Sequence, residues 1–237
     1  TDPTQPQSPT GILVLDKPVG PTSMAACRKI RAALVRAGAP KRVKVGHGGT
    51  LDPMASGVLV ILIGKATKLS ETVMAGDKTY LADIDLAATS PTDDSEAEPI
   101  PTGAAPISRD AFERALPAFT GTIQQAPPAH SAMKVGGLRA YELARAGKLH
   151  KLEPRPVRID AIRLLHFRWP RAVIDVRCGK GVYIRSLARD LGEAAGTGAM
   201  LAGLRRTRVG QHDIETAVPM HRIPAQLTQA NLLPINA

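Results

Sequence analysis

The sequence predicts an α+β protein. Strand and helix patterns follow one another without strict βαβ alternation, and two strand patterns meet at Trp169-Pro170-Arg171 as a hairpin. The 237 residues, 43% of them hydrophobic, also suffice to bury one sizeable core. Taken in order, Gly11 to Asp16 is an apolar strand, and Thr22 or Ser23 caps a basic helix running to about Gly38. Val58 to Ile63 is a buried strand, Ala66 to Ala75 a helix with Lys68 on its outer face, and Thr79 to Leu86 an alternating strand. Ala88 to Ile107, rich in Pro, Asp and Thr, is a loop, after which Ser108 caps a helix to about Phe119. Pro127-Pro128 and Gly136-Gly137 mark Gln124 to Gly137 as an irregular arm leading into a helix around Leu138 to Ala146. Val157 to Arg168 and Ala172 to Cys178 form the hairpin, Val182 to Ala195 is a helix, Met200 to Val209 a strand, and the tail past Pro219 is weakly patterned. Length permits one domain or two.

Composition narrows the function classes. Lys and Arg exceed Asp and Glu by ten and the pI is near 10.0, the footprint of a protein that meets a polyanion. Lys134 to Arg158 carries seven basic residues against Glu142 and Glu153. Cys27 and Cys178 are too far apart for metal-ligand spacing, and a reducing cytosol suits both as small apolar residues. The six histidines form no H-x-x-H or H-E-x-x-H pattern and no Walker A pattern occurs, so no metal or cofactor is expected. The longest apolar run, Val58 to Ile63, is far short of the roughly 20 residues that span a bilayer. A soluble, cytoplasmic protein is expected, with Thr1 to Thr10 as a flexible leader.

The most informative stretch is Val45 to Leu59. Three glycines precede Asp52 within six residues and Pro53 follows it, so the backbone can bend tightly and present one carboxylate at a cleft floor. An isolated Asp-Pro is an ordinary turn pair. Here the surroundings decide otherwise, because residues 46–59 match at every fixed position the pattern G-H-x-G-x-L-D-P-x-A-x-G-x-L and thus closely resemble the signature of the TruB family of pseudouridine synthases. The resemblance extends to Gly11 to Ser23, Asp77-Lys78-Thr79-Tyr80, Gly179 to Gly192 and Leu204-Arg205-Arg206-Thr207, in the family's order and over most of residues 11–210.

The resemblance implies a mixed, largely antiparallel sheet flanked by helices around a central RNA-binding cleft. It implies isomerisation of uridine to pseudouridine, in which the base leaves C1′ of ribose, turns and rejoins through C5, with neither metal nor cofactor. Asp52 matches the carboxylate this chemistry needs, whether it acts at C1′ or at C6 of the base. By the same resemblance Arg185 pairs with Asp52, Tyr80 stacks on the extruded base and serves in proton transfer, and Tyr183 lines the pocket. Leu204 packs on the base's other side and Lys17-Pro18 shapes the cleft. On residue types alone Arg185 is a surface charge, the tyrosines are half-buried, and Leu204 is core. Seven aromatics are too few for a binder that stacks successive bases.

A uridine stacked in a folded loop must be extruded, at a cost of a few kcal/mol. His47 matches the position that fills the gap, against the plainer reading that it braces the glycine turn. The arm matches P-P-x-Y-S-A-x-K followed by G-x-R-x-Y-x-x-A-R-x-G, which puts Lys134, Arg139 and Arg145 on phosphates. Two departures stand out. His130 replaces the arm's usual tyrosine, and Ala87 to Glu98 is a degraded form of the loop behind the active site, although Thr92 and Asp94 remain.

The expected organisation is a catalytic domain over 11–215 with an RNA-gripping insertion at about 124–150, a tail over 216–237, and no evident C-terminal PUA-type domain. The expected substrate is the T-stem-loop of tRNA, modified at uridine 55 by a monomer without an obligate protein partner. The alternatives are a non-catalytic RNA binder or tRNA folding helper, and the catalytic subunit of a guide-RNA particle. A pure binder has no use for a carboxylate beside a polyanion, and long basic tails are absent.

Overall fold

The computed structural model describes residues 8–128, 134–135, 138–139 and 152–235. Its longer strands are β1 (Gly11–Lys17), β2 (Val45–His47), β3 (Ala55–Ile63), β4 (Lys78–Asp85), β5 (Gly121–Gln125), β6 (Arg155–Arg168), β7 (Arg171–Cys178) and β8 (Met200–Val209). Among the described residues the α-helices are α1 (Ser23–Arg36), α2 (Ser70–Ala75), α3 (Arg109–Ala115) and α4 (Ile184–Ala194). The α+β expectation holds, and the sheet pairing is largely antiparallel. The chain divides into two compact units, residues 1–78 with 205–237, and residues 79–204.

In the first unit β3 is central because it is apolar at nearly every position. It pairs antiparallel with β1 from Gly11↔Ile63 to Lys17↔Gly57 and with β2 from Val45↔Ile63 to His47↔Ile61. Ile12, Val14, Val58, Val60 and Leu62 face one buried cluster, closed by Ala66 and Val209. The alternate residues Leu13, Leu15, Leu59 and Ile61 are equally buried, which explains strands that read as continuous apolar runs. α1 packs on β2 and begins where the Thr22 hydroxyl accepts the Ala25 N–H, so Thr22 is the cap. Ser23 is left for another role. Val218–Pro219 adds a short parallel pairing to β1.

In the second unit the sheet runs β4-β7-β6-β5. The β6–β7 hairpin turns at a cis Trp169–Pro170 bond and is bulged at two places, between Ile159 and Ala161 and between Leu164 and His166. β5 pairs antiparallel with β6 from Gly121↔Ile159 to Gln125↔Arg155. α4 buries Ile184, Leu187, Ala188 and Leu191, and Gly192 lies so close to Ala199 that a Cβ would come within 2.4 Å of it.

Some expectations are corrected. The segment expected as a helix over Ala66 to Ala75 is a 3₁₀ turn, Gly64–Leu69, followed by α2. The loop over Ala88 to Ile107 contains an antiparallel pair, Ala88–Thr89 with Ile100–Pro101. No helix begins at Leu138, because Leu138–Arg139 pairs antiparallel with Lys134–Val135. Gly136-Gly137, which separates these strands in sequence, is a residue pair that two-residue hairpin connections favour. The rest of that expected helix lies outside the described residues. No described helix is long and apolar enough to cross a membrane.

Candidate active site

Asp52 sits half-buried on an irregular loop between β2 and β3, and bonds on both flanks hold that loop. The Ser23 hydroxyl, at the first turn of α1, donates to the Leu51 carbonyl and accepts the Leu51 N–H, both at 2.9 Å. The Arg206 guanidinium, 2% exposed, donates to Gly49 O and Thr50 O at 3.1 Å and to Val58 O at 2.8 Å. Beyond Asp52, Pro53 O accepts from Gly20 N–H at 2.8 Å. Gly57, at φ 105°, is where any Cβ would lie 2.1 Å from Arg206 O, so glycine is required there. The three-glycine run thus supplies flexibility of sequence, and the bonds remove it from the fold.

His47 ends β2 with its Nδ1 buried and unbonded. Burial, and then the charge of Arg206, push its pKa below the ordinary histidine range, so the ring is neutral at pH 7. Lys17, also expected in the site, is wholly buried, with its ammonium donating to Pro18 O at 2.8 Å and Pro21 O at 2.9 Å. It shapes the turn after β1 from within the fold.

In the second unit Tyr80 points inward from β4, 9% exposed, on the face that also carries Ala82 and Ile84. Tyr183 is the residue that opens α4. Its backbone is held by one side chain: Gln125, itself 1% exposed, accepts the Tyr183 N–H at 2.8 Å and donates to Tyr183 O at 3.1 Å. The Arg155 guanidinium lies 5.5 Å from the centre of the Tyr183 ring, a cation–π distance. Leu204 is half-buried on β8.

Arg185 is not the surface charge that its residue type suggests. Its side chain is 8% exposed and its Nη1 stands 3.2 Å from Oδ2 of Asp94, which is 1% exposed. Asp94 is well prepared for that role. Its Oδ1 accepts from the Thr92 hydroxyl at 2.6 Å and the Glu96 N–H at 2.9 Å, and its carbonyl accepts from the Ser90 hydroxyl at 2.5 Å. The loop that departs from the family pattern therefore still folds into a closed turn around its aspartate. Next to it, Asp93 at φ 59° meets Arg189 at 2.8 Å, and Arg189 and Ser186 both donate to Ala126 O, at 3.2 and 2.8 Å.

Asp52, His47 and Lys17 belong to the first unit, and Tyr80, Tyr183, Arg185 and Leu204 to the second. The side chains of Lys134 and Arg139, and Arg145 entirely, lie outside the described residues. Ser23, Arg206 and Gln125 were not singled out as site residues. Ser23 and Arg206 lie within the stretches that carry the family resemblance, but a motif does not say which backbone groups a side chain serves, and Gln125 carries no motif signal. Among the described residues no cluster of three His, Cys, Asp or Glu is placed to hold a metal ion.

The chain superimposes on the solved structure of a Cbf5-Nop10-Gar1 complex with a TM-score of 0.68 at 29% identity, covering 93% of this chain and 58% of the solved one. It spans a little over half of that longer chain. Fold and motifs together define the class, a pseudouridine synthase, which is an isomerase.

The chain belongs to the TruB family: the model of the TruB family pseudouridylate synthase N-terminal domain matches residues 36–184, and that of the tRNA pseudouridylate synthase B C-terminal domain matches residues 185–233. The tRNA pseudouridine synthase B of Phocaeicola vulgatus is 46% identical over 224 residues, covering 93% of this chain and 94% of the relative. That of Cupriavidus metallidurans is 45% identical over 233 residues, covering 96% and 72%.

Proposed function

We propose that this enzyme converts uridine 55 in the T loop of tRNA to pseudouridine, with Asp52 as the reacting carboxylate. The observation that carries the reading is the Asp52 loop itself. A half-buried carboxylate on a loop fixed by Ser23, Arg206 and Gly20 is what a reaction needs when its nucleophile must meet a ribose or base carbon at one angle.

The uridine is extruded from its loop, and neutral His47 stacks where it stood. Tyr80 lies against the base and shuttles the proton that leaves C5. Tyr183 lines the pocket wall, and Leu204 packs on the base's other side. Arg185, already held by Asp94, is the cation that keeps Asp52 ionised in a site without water. Lys134, Arg139 and Arg145 grip phosphates, which makes affinity fall with salt. The enzyme works as a single chain in the cytoplasm. The named relatives favour this stand-alone reading over a guide-RNA particle, since the tRNA synthases are about 45% identical to this chain and the Cbf5 chain 29%.

The test is tritium release from tRNA transcripts labelled at uridine C5. Wild type should release one equivalent per tRNA, none from a transcript with cytidine at position 55, and Asp52→Asn should release none while keeping salt-sensitive binding. Release that survives the cytidine replacement would reject the site, and release by Asp52→Asn would reject the carboxylate.

A further inference from the structure

We infer that Arg206 is a positioning residue for the reaction, its guanidinium clamping the Gly49–Val58 loop so that the Asp52 carboxylate is held at the reacting angle. The inference rests on Asp52 being the reacting carboxylate, and it assigns a role to a side chain that touches neither base nor sugar.

Buried arginines ordinarily pair with a carboxylate. Arg206 is 2% exposed, yet no described carboxylate lies within ion-pair distance. Its charge is met instead by three carbonyl dipoles, and their places in the chain are informative. Gly49 O and Thr50 O precede Asp52 by three and two residues, and Val58 O follows it by six. One planar group therefore ties both ends of the loop to β8.

Only arginine does this. The guanidinium presents five N–H donors in a rigid fork, whereas a lysine ammonium is a compact point charge. The backbone is fitted as closely, since the missing Cβ of Gly57 would sit 2.1 Å from Arg206 O and 2.8 Å from Arg206 N. With the Ser23 hydroxyl fastening Leu51, residues 49, 50, 51 and 58 are all anchored and Asp52 has little freedom left. The same guanidinium acts electrostatically on His47, so its reach extends over both functional side chains of the turn.

A misplacement of about 1 Å in a reacting group costs on the order of 10²-fold in rate. Arg206→Lys keeps the charge and loses the fork, and in single-turnover assays with saturating enzyme its rate should fall about 10²-fold, with the Kd for tRNA changed less than about threefold. Arg206→Ala should fall further. Free guanidinium at a sub-denaturing concentration, against a control with equal NaCl, should restore part of the Arg206→Ala rate and none of the Asp52→Asn rate. Should Arg206→Ala fail to fold, Arg206→Lys and Arg206→Gln carry the rate comparison, with folded protein counted by near-UV circular dichroism.

A rate within about threefold of wild type in folded Arg206→Lys overturns the proposal. So does a loss in Arg206→Ala that guanidinium leaves untouched, since that is the signature of a merely structural arginine. Full activity in Asp52→Asn is a different failure: it removes the Asp52 reading, and the proposal falls with it whatever the Arg206 variants do.

Discussion

Replacing Asp94 by asparagine tests how Arg185 is held. Opposite unit charges 3.2 Å apart attract by roughly 5 kcal/mol at an effective dielectric of about 20. Much of that attraction is offset by the desolvation of both groups, whose side chains are 8% and 1% exposed. The substitution acts on one side of the balance only. Asn keeps the Oδ1 acceptor for Thr92 and Glu96, but it removes the anion and turns an amide N–H₂ toward the guanidinium. Asp94 Oδ2 is buried and accepts no hydrogen bond, so what it supplies there is the charge that faces Arg185. Breaking a buried pair by removing one partner costs about 3–5 kcal/mol, and the lower end applies here because Arg185 Nη1 also donates to Thr92 O at 3.3 Å.

The assay is urea unfolding of wild type, Asp94→Asn, Arg185→Met and the double variant, with m-values compared to confirm a common unfolded state. Asp94→Asn should lose about 3 kcal/mol and the double variant about 2 kcal/mol less than the sum of the singles. A coupling below about 0.5 kcal/mol would show that the two side chains are neighbours without being partners, and the account of Arg185 as a pre-held cation would fail.

Gly57→Ala should destabilise by more than about 2 kcal/mol, because it combines φ 105° with a Cβ 2.1 Å from Arg206 O; thermal melting within a degree or two of wild type would refute the close approach. Lys17→Met removes a wholly buried ammonium from two carbonyls and should cost roughly 2 kcal/mol or more in urea unfolding, while a neutral result would mean those carbonyls find other donors. His47 and His212 both have pKa values lowered from 6.5, His47 by burial and then Arg206, His212 by burial. Between their folded values and 6.5 the unfolded chain binds more protons, so this contribution to stability is present above pH 6.5 and is lost as pH falls. The urea midpoint should therefore drop from pH 7.5 to pH 5.5, and the slope should flatten in His47→Gln with His212→Gln. Cys27 is raised to about 11 by burial, with Arg31 opposing, so its thiol should resist alkylation in the native state and react only on unfolding.

Local signals made much of the fold legible. β1, the strand about Val58–Ile63, α1 with its cap at Thr22 or Ser23, the hairpin at Trp169-Pro170 and β8 all announce themselves through patterns a few residues long. The irregular loop that carries Asp52 was legible for the same reason, since glycines and proline act on their own neighbourhood. Partnerships across long sequence separations were not. Gln125 meets Tyr183 58 residues away, and Arg206 reaches Gly49 across 157. Periodicity can say that position 206 is buried but not that carbonyls surround it. Lys17 shows the same limit: its place beside a motif is legible, but not that its ammonium ties down the turn at Pro18 and Pro21. The start of a helix at Leu138 failed because the residues beyond it carry a helical pattern, whereas strand pairing at 134–139 is set by a partner across two glycines.

The two hydrogen bonds between the Gln125 amide and the Tyr183 backbone, with Ser186 and Arg189 both on Ala126 O, make the stem entering the arm and the start of α4 one mechanical body. Displacement of residues 125–126 is then displacement of Tyr183. Free energies of binding linked through such a joint are reciprocal: if RNA gripped beyond Pro128 settles Tyr183, a base seated against Tyr183 tightens the grip by the same factor. An RNA with an intact stem but no uridine to extrude would consequently be released sooner than the true substrate, so that discrimination would reside in dwell time as well as in the reaction.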